Sequence, residues 1–287
     1  MYAGGGALNS KWKLENHLEI AMQTIRPPAV AGAFYPSNPV ELATMLRGFL
    51  AAAQPPPLRP KALIAPHAGY IYSGAVAASA YALLRPLRAS IKRVVLLGPV
   101  HQVWTPGLAL PGVDAFETPL GRVELDQDAI AAIDGLRQVQ VHPAAHTREH
   151  SLEVHLPFLQ SVLDDFTLVP LVVGGASPEA VAEVLEVLWG GTETLIVASS
   201  DLSHFLPYSE AQQVDRASVH EILAFNGHLV GEQACGCHGI NGLLLAAHKH
   251  GLSAHLLDLR NSGDTAGDRD RVVGYAAIAF TEDHHVH

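Results

Sequence analysis

The sequence predicts an α/β fold: a single domain with a central, mostly parallel mixed sheet and helices on both faces. Three observations predict it. Short β-branched runs recur along the chain, helix-length stretches separate them, and the runs are apolar almost throughout rather than alternating. A strand that is apolar at nearly every position is covered on both sides, as happens when helical crossovers join parallel strands. At 287 residues the chain is long enough to bury one full core.

In chain order, residues 1–25 mix charges along their length and lack an apolar core segment, so they read as a loose leader with one short helix rather than a secretory signal. The domain runs from 26 to 282. A helix is expected over 38–53, then a stiff proline linker, "AAAQPPPLRP". Strands are expected at 61–65, 93–98, 167–173, 194–199, 253–259 and 272–280, and helices at 74–85, 126–133, about 149–163, 177–189, 209–225 and 240–250. Ser177-Pro178 supplies an N-cap and a proline in the first helical turn, and Gly251 a C-terminal stop. "DAFETPLGRVELD" alternates about Pro119-Leu120-Gly121 and reads as a peripheral hairpin. The tail at 283–287, "DHHVH", is histidine-rich and reads as exposed.

Composition narrows the function. With 48% apolar and 16% charged residues the chain is globular, and its net charge of −10 argues against nucleic acid, whose phosphates need a surplus of Lys and Arg. No apolar run approaches the ~18 residues of a membrane span. Two cysteines one residue apart, Cys235 and Cys237, cannot staple a fold or make a four-cysteine zinc site, which fits a reducing, cytoplasmic setting. Histidine is the outlier at 17 residues; its chemical uses are metal ligation and proton transfer near neutral pH.

Ligands of open α/β sheets bind beyond the carboxyl ends of the strands. In "LIAPHAGYIYSG", Pro66 cannot donate to a sheet ladder and ends the strand, which delivers His67 to that rim with Gly69 turning the backbone beside it. "RVVLLGPVH" ends in Gly98-Pro99 and then His101, and "TLIVASSDLSH" passes Asp201 to reach His204. One such histidine reads as a hydrogen-bonded structural residue. Three on neighbouring strands of one sheet would converge.

Two further stretches carry chemistry. In "EQACGCHGINGLLLAAHKHG", Cys235 and Cys237 precede an apolar helix whose dipole favours a thiolate. Glycines at 236 and 239 leave little around the pair to pack, which weakens the reading of either cysteine as a small buried hydrophobe. "AAHTREHSLEVHLPFL" contains H-x-x-E-H at His146–His150, a zinc-peptidase pattern that needs one helical face. Pro143 and the two alanines place His146 where the helix has barely begun, so that reading is set aside. Glu149, His150 and Glu153 share a helical face by their spacing, with Glu153 expected to be solvated.

"APHAGYIYSG", "LLGPVH", "REHSLEVHLPFLQ", "ASSDLSHF" and "ACGCHGI", in that order, resemble the Memo family (mediator of cell motility), whose prokaryotic members appear as protein B of the AmmeMemoRadiSam system. The resemblance runs from "RPPAVAGAFYP" at 26–36 to "YAAIAF" near the end. It implies a fold like the class III, LigB-type extradiol dioxygenases, which hold Fe(II) with two histidines and a carboxylate. Carried onto this chain, the resemblance implies metal ligands His67, His101 and Cys235, with a thiolate in the carboxylate's place. His204, near Asp201, falls at an acid/base position, and Glu149, His150 and His155 are expected to line the same pocket. Cys237 and His146 lie outside the signature, and Cys237 is either a bystander or a redox partner for Cys235. A softer thiolate favours copper, zinc or more covalently bound iron, and ring cleavage does not carry over with the fold.

Three functions follow from these residues. The first is a non-haem iron or copper redox protein, or oxidoreductase, of unknown substrate. The second is a binding module that uses the pocket for a small molecule, a peptide or a partner protein without turnover. The third is a zinc hydrolase, since Cys-His-His with an open position is a normal catalytic zinc arrangement. The family's company implies radical-SAM and AMMECR-type protein partners. Bound-metal analysis separates the three.

Overall fold

The computed structural model describes residues 23–282. The leader up to residue 22, with its expected helix, and the tail at 283–287 lie outside them. The chain opens with β1 (Ile25–Arg26) and α1 (Pro39–Ala52), whose N-cap Asn38 accepts the amides of Val40 and Glu41. β2 (Pro60–Ala65) stops at Pro66, as the proline dictates, and α2 (Tyr70–Tyr81) follows. This helix begins four residues before the expected start at 74, because Gly69 completes the turn and an almost wholly apolar helix hides its own periodicity. It tightens into a 3-10 segment, Ala82–Leu87, that contains Pro86.

β3 (Arg93–Pro99) and the short β4 (Leu108–Leu110) lead to the hairpin of β5 (Ala115–Thr118) and β6 (Gly121–Glu124). That hairpin and β1 form a separate three-stranded sheet, order β1-β5-β6. Next come α3 (Gln127–Ile133), β7 (Val139–Val141) and the five-residue α4 (Pro143–Thr147). The single helix expected over 149–163 is not formed. Residues 149–152 are irregular, Glu153–His155 make a 3-10 turn, and α5 spans only Leu156–Val162. The Glu149 carboxylate accepts the backbone N–H groups of His150 and Ser151, giving that backbone an alternative to helix.

β8 (Thr167–Val173), α6 (Pro178–Leu188), β9 (Thr194–Ser199), β10 (His204–Leu206) and α7 (Tyr208–Leu223) follow, then α8 (Cys237–Lys249), β11 (Leu252–Asn261) and β12 (Val272–Glu282). Ser177 caps α6 by accepting the Ala180 amide, as read from the sequence.

The main sheet has nine strands in the order β10-β12-β2-β9-β3-β8-β4-β7, with β11 on β12. Its centre, β2-β9-β3-β8, is parallel, while β12 and β4 join antiparallel on either flank. Successive strand residues feed two cores. Leu63, Ala65, Val94, Leu96 and Val197 face α1, α2 and α5, and Ile64, Val95, Leu97, Ile196 and Ala198 face α6 and α8. Among the described residues no helix is long and apolar enough to cross a membrane.

Candidate metal centre

The three strands that end in a histidine turn are immediate neighbours, β2 beside β9 and β9 beside β3, all parallel. Their carboxyl ends therefore open at one place on the rim. The His67 amide donates to Asp201 Oδ1 at 2.8 Å, tying the turn after β2 to the turn after β9. His67 Nδ1 lies 2.6 Å from Ser199 Oγ, whose one proton goes to the Ser151 carbonyl at 2.6 Å. The hydroxyl therefore accepts from His67, the proton sits on Nδ1, and Nε2 keeps its lone pair.

His101 is oriented by the same logic. Its amide donates to Glu149 Oε2 at 2.6 Å and its Nδ1 to Glu149 Oε1 at 2.8 Å, so Nε2 again carries the lone pair. The His150 ring stacks on His101 with centroids 4.7 Å apart and stands edge-on to His67 at 5.4 Å. His67, His101 and His150 each offer a ligand atom within 4.8 Å of the others. Cys235 Sγ is 3.3 Å from His67 Nε2 and accepts the Asp201 amide at 3.3 Å.

Burial sets the charge states. It keeps His67 neutral, with the nearby imidazoles adding to the effect, so the 4.0 Å approach of Asp201 Oδ2 to Nε2 is not a working ion pair. Burial also lowers the pKa of His150. The Cys235 thiol is pushed up to about 12, first by burial and then by the Asp201 charge, and Asp201 itself is raised to about 7 by burial. For Glu149, burial pushes upward but is outweighed by the His101 ring and the His101 and Ser151 amides, leaving its pKa at about 2. The pocket is thus lined by imidazoles, a thiol and two buried carboxyl groups already committed, Glu149 to the His101 ring and Asp201 to the His67 amide. That donor set fits a borderline or soft cation, since neutral imidazole nitrogens and a sulfur are its preferred ligands.

The remaining predicted residues take different places. His204 opens β10 on the same rim, where burial lowers its pKa, the Leu202 carbonyl opposes this and the nearby His101 ring adds to it. His155 is buried with Nδ1 2.7 Å from the Tyr81 hydroxyl, and its buried Nε2 meets no partner atom. Its pKa falls to about 3, first through burial and then through His150. His146 points away from the cluster, with Nε2 2.8 Å from the Ala109 carbonyl, so the peptidase pattern has no common helical face.

Two expectations are corrected. Glu153 is not solvated but fully buried against Arg26, and it shares no helical face with Glu149 because the backbone there is not helical. The glycines around the cysteines do not leave open space. A Cβ at Gly236 would stand 2.4 Å from the Ser199 carbonyl oxygen, and one at Gly239 would touch Leu97. Cys237 is accordingly a buried hydrophobe in the core under α8. Ser199 and Ser151, which complete the His67 tether, were not singled out from the sequence. Short polar side chains next to a strand end carry no spacing signal that marks them as orienters.

The family described as Memo-like protein matches residues 26–279. A MEMO1 family protein of Archaeoglobus fulgidus is 36% identical over 271 residues, covering 89% of this chain and 99% of its own. One from Aquifex aeolicus is 35% identical over 272 residues, with the same coverage of 89% and 99%. A solved structure, that of the uncharacterized protein JW3007 from Escherichia coli K12, aligns with a TM-score of 0.47 at 14% identity, covering 77% of this chain and 99% of that one. With a family match along nearly the whole described chain and full-length relatives at this identity, the chain belongs to the Memo-like protein family.

Proposed function

We propose that this chain is a metal-binding redox protein, an oxidoreductase of non-haem iron or copper, in which His67, His101 and Cys235 hold the ion. The observation that carries the reading is the pair of locked tautomers. Ser199 and Glu149 each take an Nδ1 proton and leave a lone pair on Nε2, that of His67 facing the Cys235 thiol at 3.3 Å, beside a third imidazole. A bound iron or copper ion would supply one-electron redox chemistry and a Lewis-acid centre. The chain's own residues do the rest. Asp201 holds the His67 turn through its amide, and Glu149 fixes His101. His204, on the rim and partly exposed, would exchange a proton with a small molecule entering the pocket.

We read the fold as related to the extradiol dioxygenases, with the ligand carboxylate replaced by sulfur. Catechol ring cleavage is therefore expected to be absent or weak, even with Fe(II) restored.

The test is metal analysis of protein purified anaerobically without residues 283–287. Stoichiometric iron or copper, lost in both His67→Ala and Cys235→Ser while circular dichroism is unchanged, supports the reading. Retention in Cys235→Ser with loss in His150→Ala moves the third ligand to His150. Stoichiometric zinc makes the protein a candidate hydrolase instead. No metal at all leaves a binding module.

A further inference from the structure

Glu153 is fully buried, yet its hydrogen-bond partners include none of the candidate metal ligands. Both of its oxygens are saturated. Oε2 accepts from Arg26 at 2.8 Å and the Ala29 amide at 2.7 Å, while Oε1 accepts from the Val30 amide at 3.0 Å and the Tyr35 hydroxyl at 2.7 Å. One carboxylate thus gathers the whole segment 26–35. A buried ion pair of this kind costs desolvation, and replacing it by apolar groups is often neutral or stabilising, so stability alone is a weak reason for it.

The partners of Arg26 point elsewhere. Its Nε donates to the His146 carbonyl at 2.8 Å and its NH2 group to the Glu149 carbonyl at 2.6 Å. The guanidinium therefore brackets the irregular turn whose side chains are Glu149 and His150. The gathered segment touches the centre twice more. The Phe34 ring lies 4.7 Å from His150, and the Phe34 carbonyl accepts the Tyr70 amide at 2.8 Å, three residues beyond His67.

We infer that Arg26 and Glu153 are positioning residues for the metal centre: their ion pair clamps the turn at 146–150 so that Glu149 holds His101 in its Nδ1–H tautomer and His150 faces His67. The inference rests on the metal-binding reading for its consequence, but the clamp itself acts in metal-free protein. Arg26 suits the work because its planar group spans two carbonyls and a carboxylate at once. Lysine keeps the charge but cannot bridge all three with the same geometry.

The experiment uses the full chain with ¹⁵N-labelled histidine, first without metal and then titrated with Co²⁺. In the parent protein, long-range proton–nitrogen spectra are expected to place the His101 proton on Nδ1. Arg26→Lys is expected to mix the tautomers, to weaken Co²⁺ binding about tenfold, as loss of an outer orienting group does, and to shift the visible Co²⁺ bands. Tyr35→Phe removes one of four donors to Glu153, folds more safely, and is expected to give the same changes in smaller degree. Leu46→Ala, on the buried face of α1, lowers thermal stability but should leave tautomer and spectrum alone. Unchanged His101 tautomers in both Arg26→Lys and Tyr35→Phe would overturn the inference, and so would an equal response in Leu46→Ala. A parent protein that takes up no Co²⁺ would sink the metal reading, and the tautomer spectra would still decide the clamp.

Discussion

Glu149 does more than any other side chain to organise the centre, because its two oxygens accept from the His101 ring, the His101 amide, and the amides of His150 and Ser151. Glu149→Gln removes the charge and one acceptor position, so metal affinity should fall roughly 10- to 100-fold, measured by competition with a chromophoric chelator. An unchanged affinity would mean that His101 finds its orientation without the carboxylate. His155 governs a different property. It is a base whose pKa falls from 6.5 in the unfolded chain to about 3 when buried, so acid protonates the unfolded state first. Its contribution to stability is present above about pH 6.5 and is lost as pH falls toward 3. Asp201 acts oppositely, since its raised pKa gives stability that fades as pH rises toward 7. That effect is common to the parent and to His155→Gln and cancels in their comparison. The expected outcome is a smaller drop in urea midpoint between pH 7 and pH 5 for His155→Gln than for the parent. At this scale the sequence was readable where a residue follows a strand, as for His67 and His101. It was opaque where a residue acts through a hydrogen bond to a distant neighbour, as Ser199 does by accepting from His67 and Arg26 by donating to the His146 and Glu149 carbonyls.

At the scale of elements, the centre depends on turns rather than on helices or strands. The strands themselves were readable because buried parallel strands are nearly all apolar, and their ends were marked by Pro66 and by Gly98-Pro99. The segment 149–163 misled because its apolar spacing suits a helix while Glu149 caps its own backbone, a competition that periodicity does not register. β4, β7 and β10 span three residues each, too few for a period to mark them in the sequence. The turn before α8 makes a sharp test. Gly236 lies against the end of β9, with the Ser200 Cβ 2.7 Å from where its own Cβ would be. Gly236→Ala must push the chain off the strand end and carry Cys235 away from His67. The variant should lose thermal stability and, loaded with Co²⁺, should lose most of the near-ultraviolet sulfur-to-metal absorption, whereas Gly231→Ala, with open space around it, should keep both.

For the whole molecule, the sheet separates the tasks. Two cores lie on its faces, and the centre lies at the carboxyl rim of β2, β9 and β3. Stability and metal affinity are then expected to vary independently when substitutions sit far from the rim. Leu46 in α1 is completely buried, and Leu46→Ala should cost about 2–5 kcal/mol from lost transfer and an unfilled cavity. Metal held only by the folded chain adds stability by mass action, about 2.7 kcal/mol at a free concentration one hundred times Kd. For a domain of this size each kcal/mol moves Tm by roughly 2–4 °C, so saturation should raise Tm by about 5–10 °C. That increment should survive intact in Leu46→Ala, on a lower baseline, and vanish in His67→Ala. Paired thermal scans with and without metal on the three proteins check it. An increment that shrinks with the core substitution would mean that the rim and the α1 core unfold and bind as one coupled unit, and the separation of tasks across the sheet would fail.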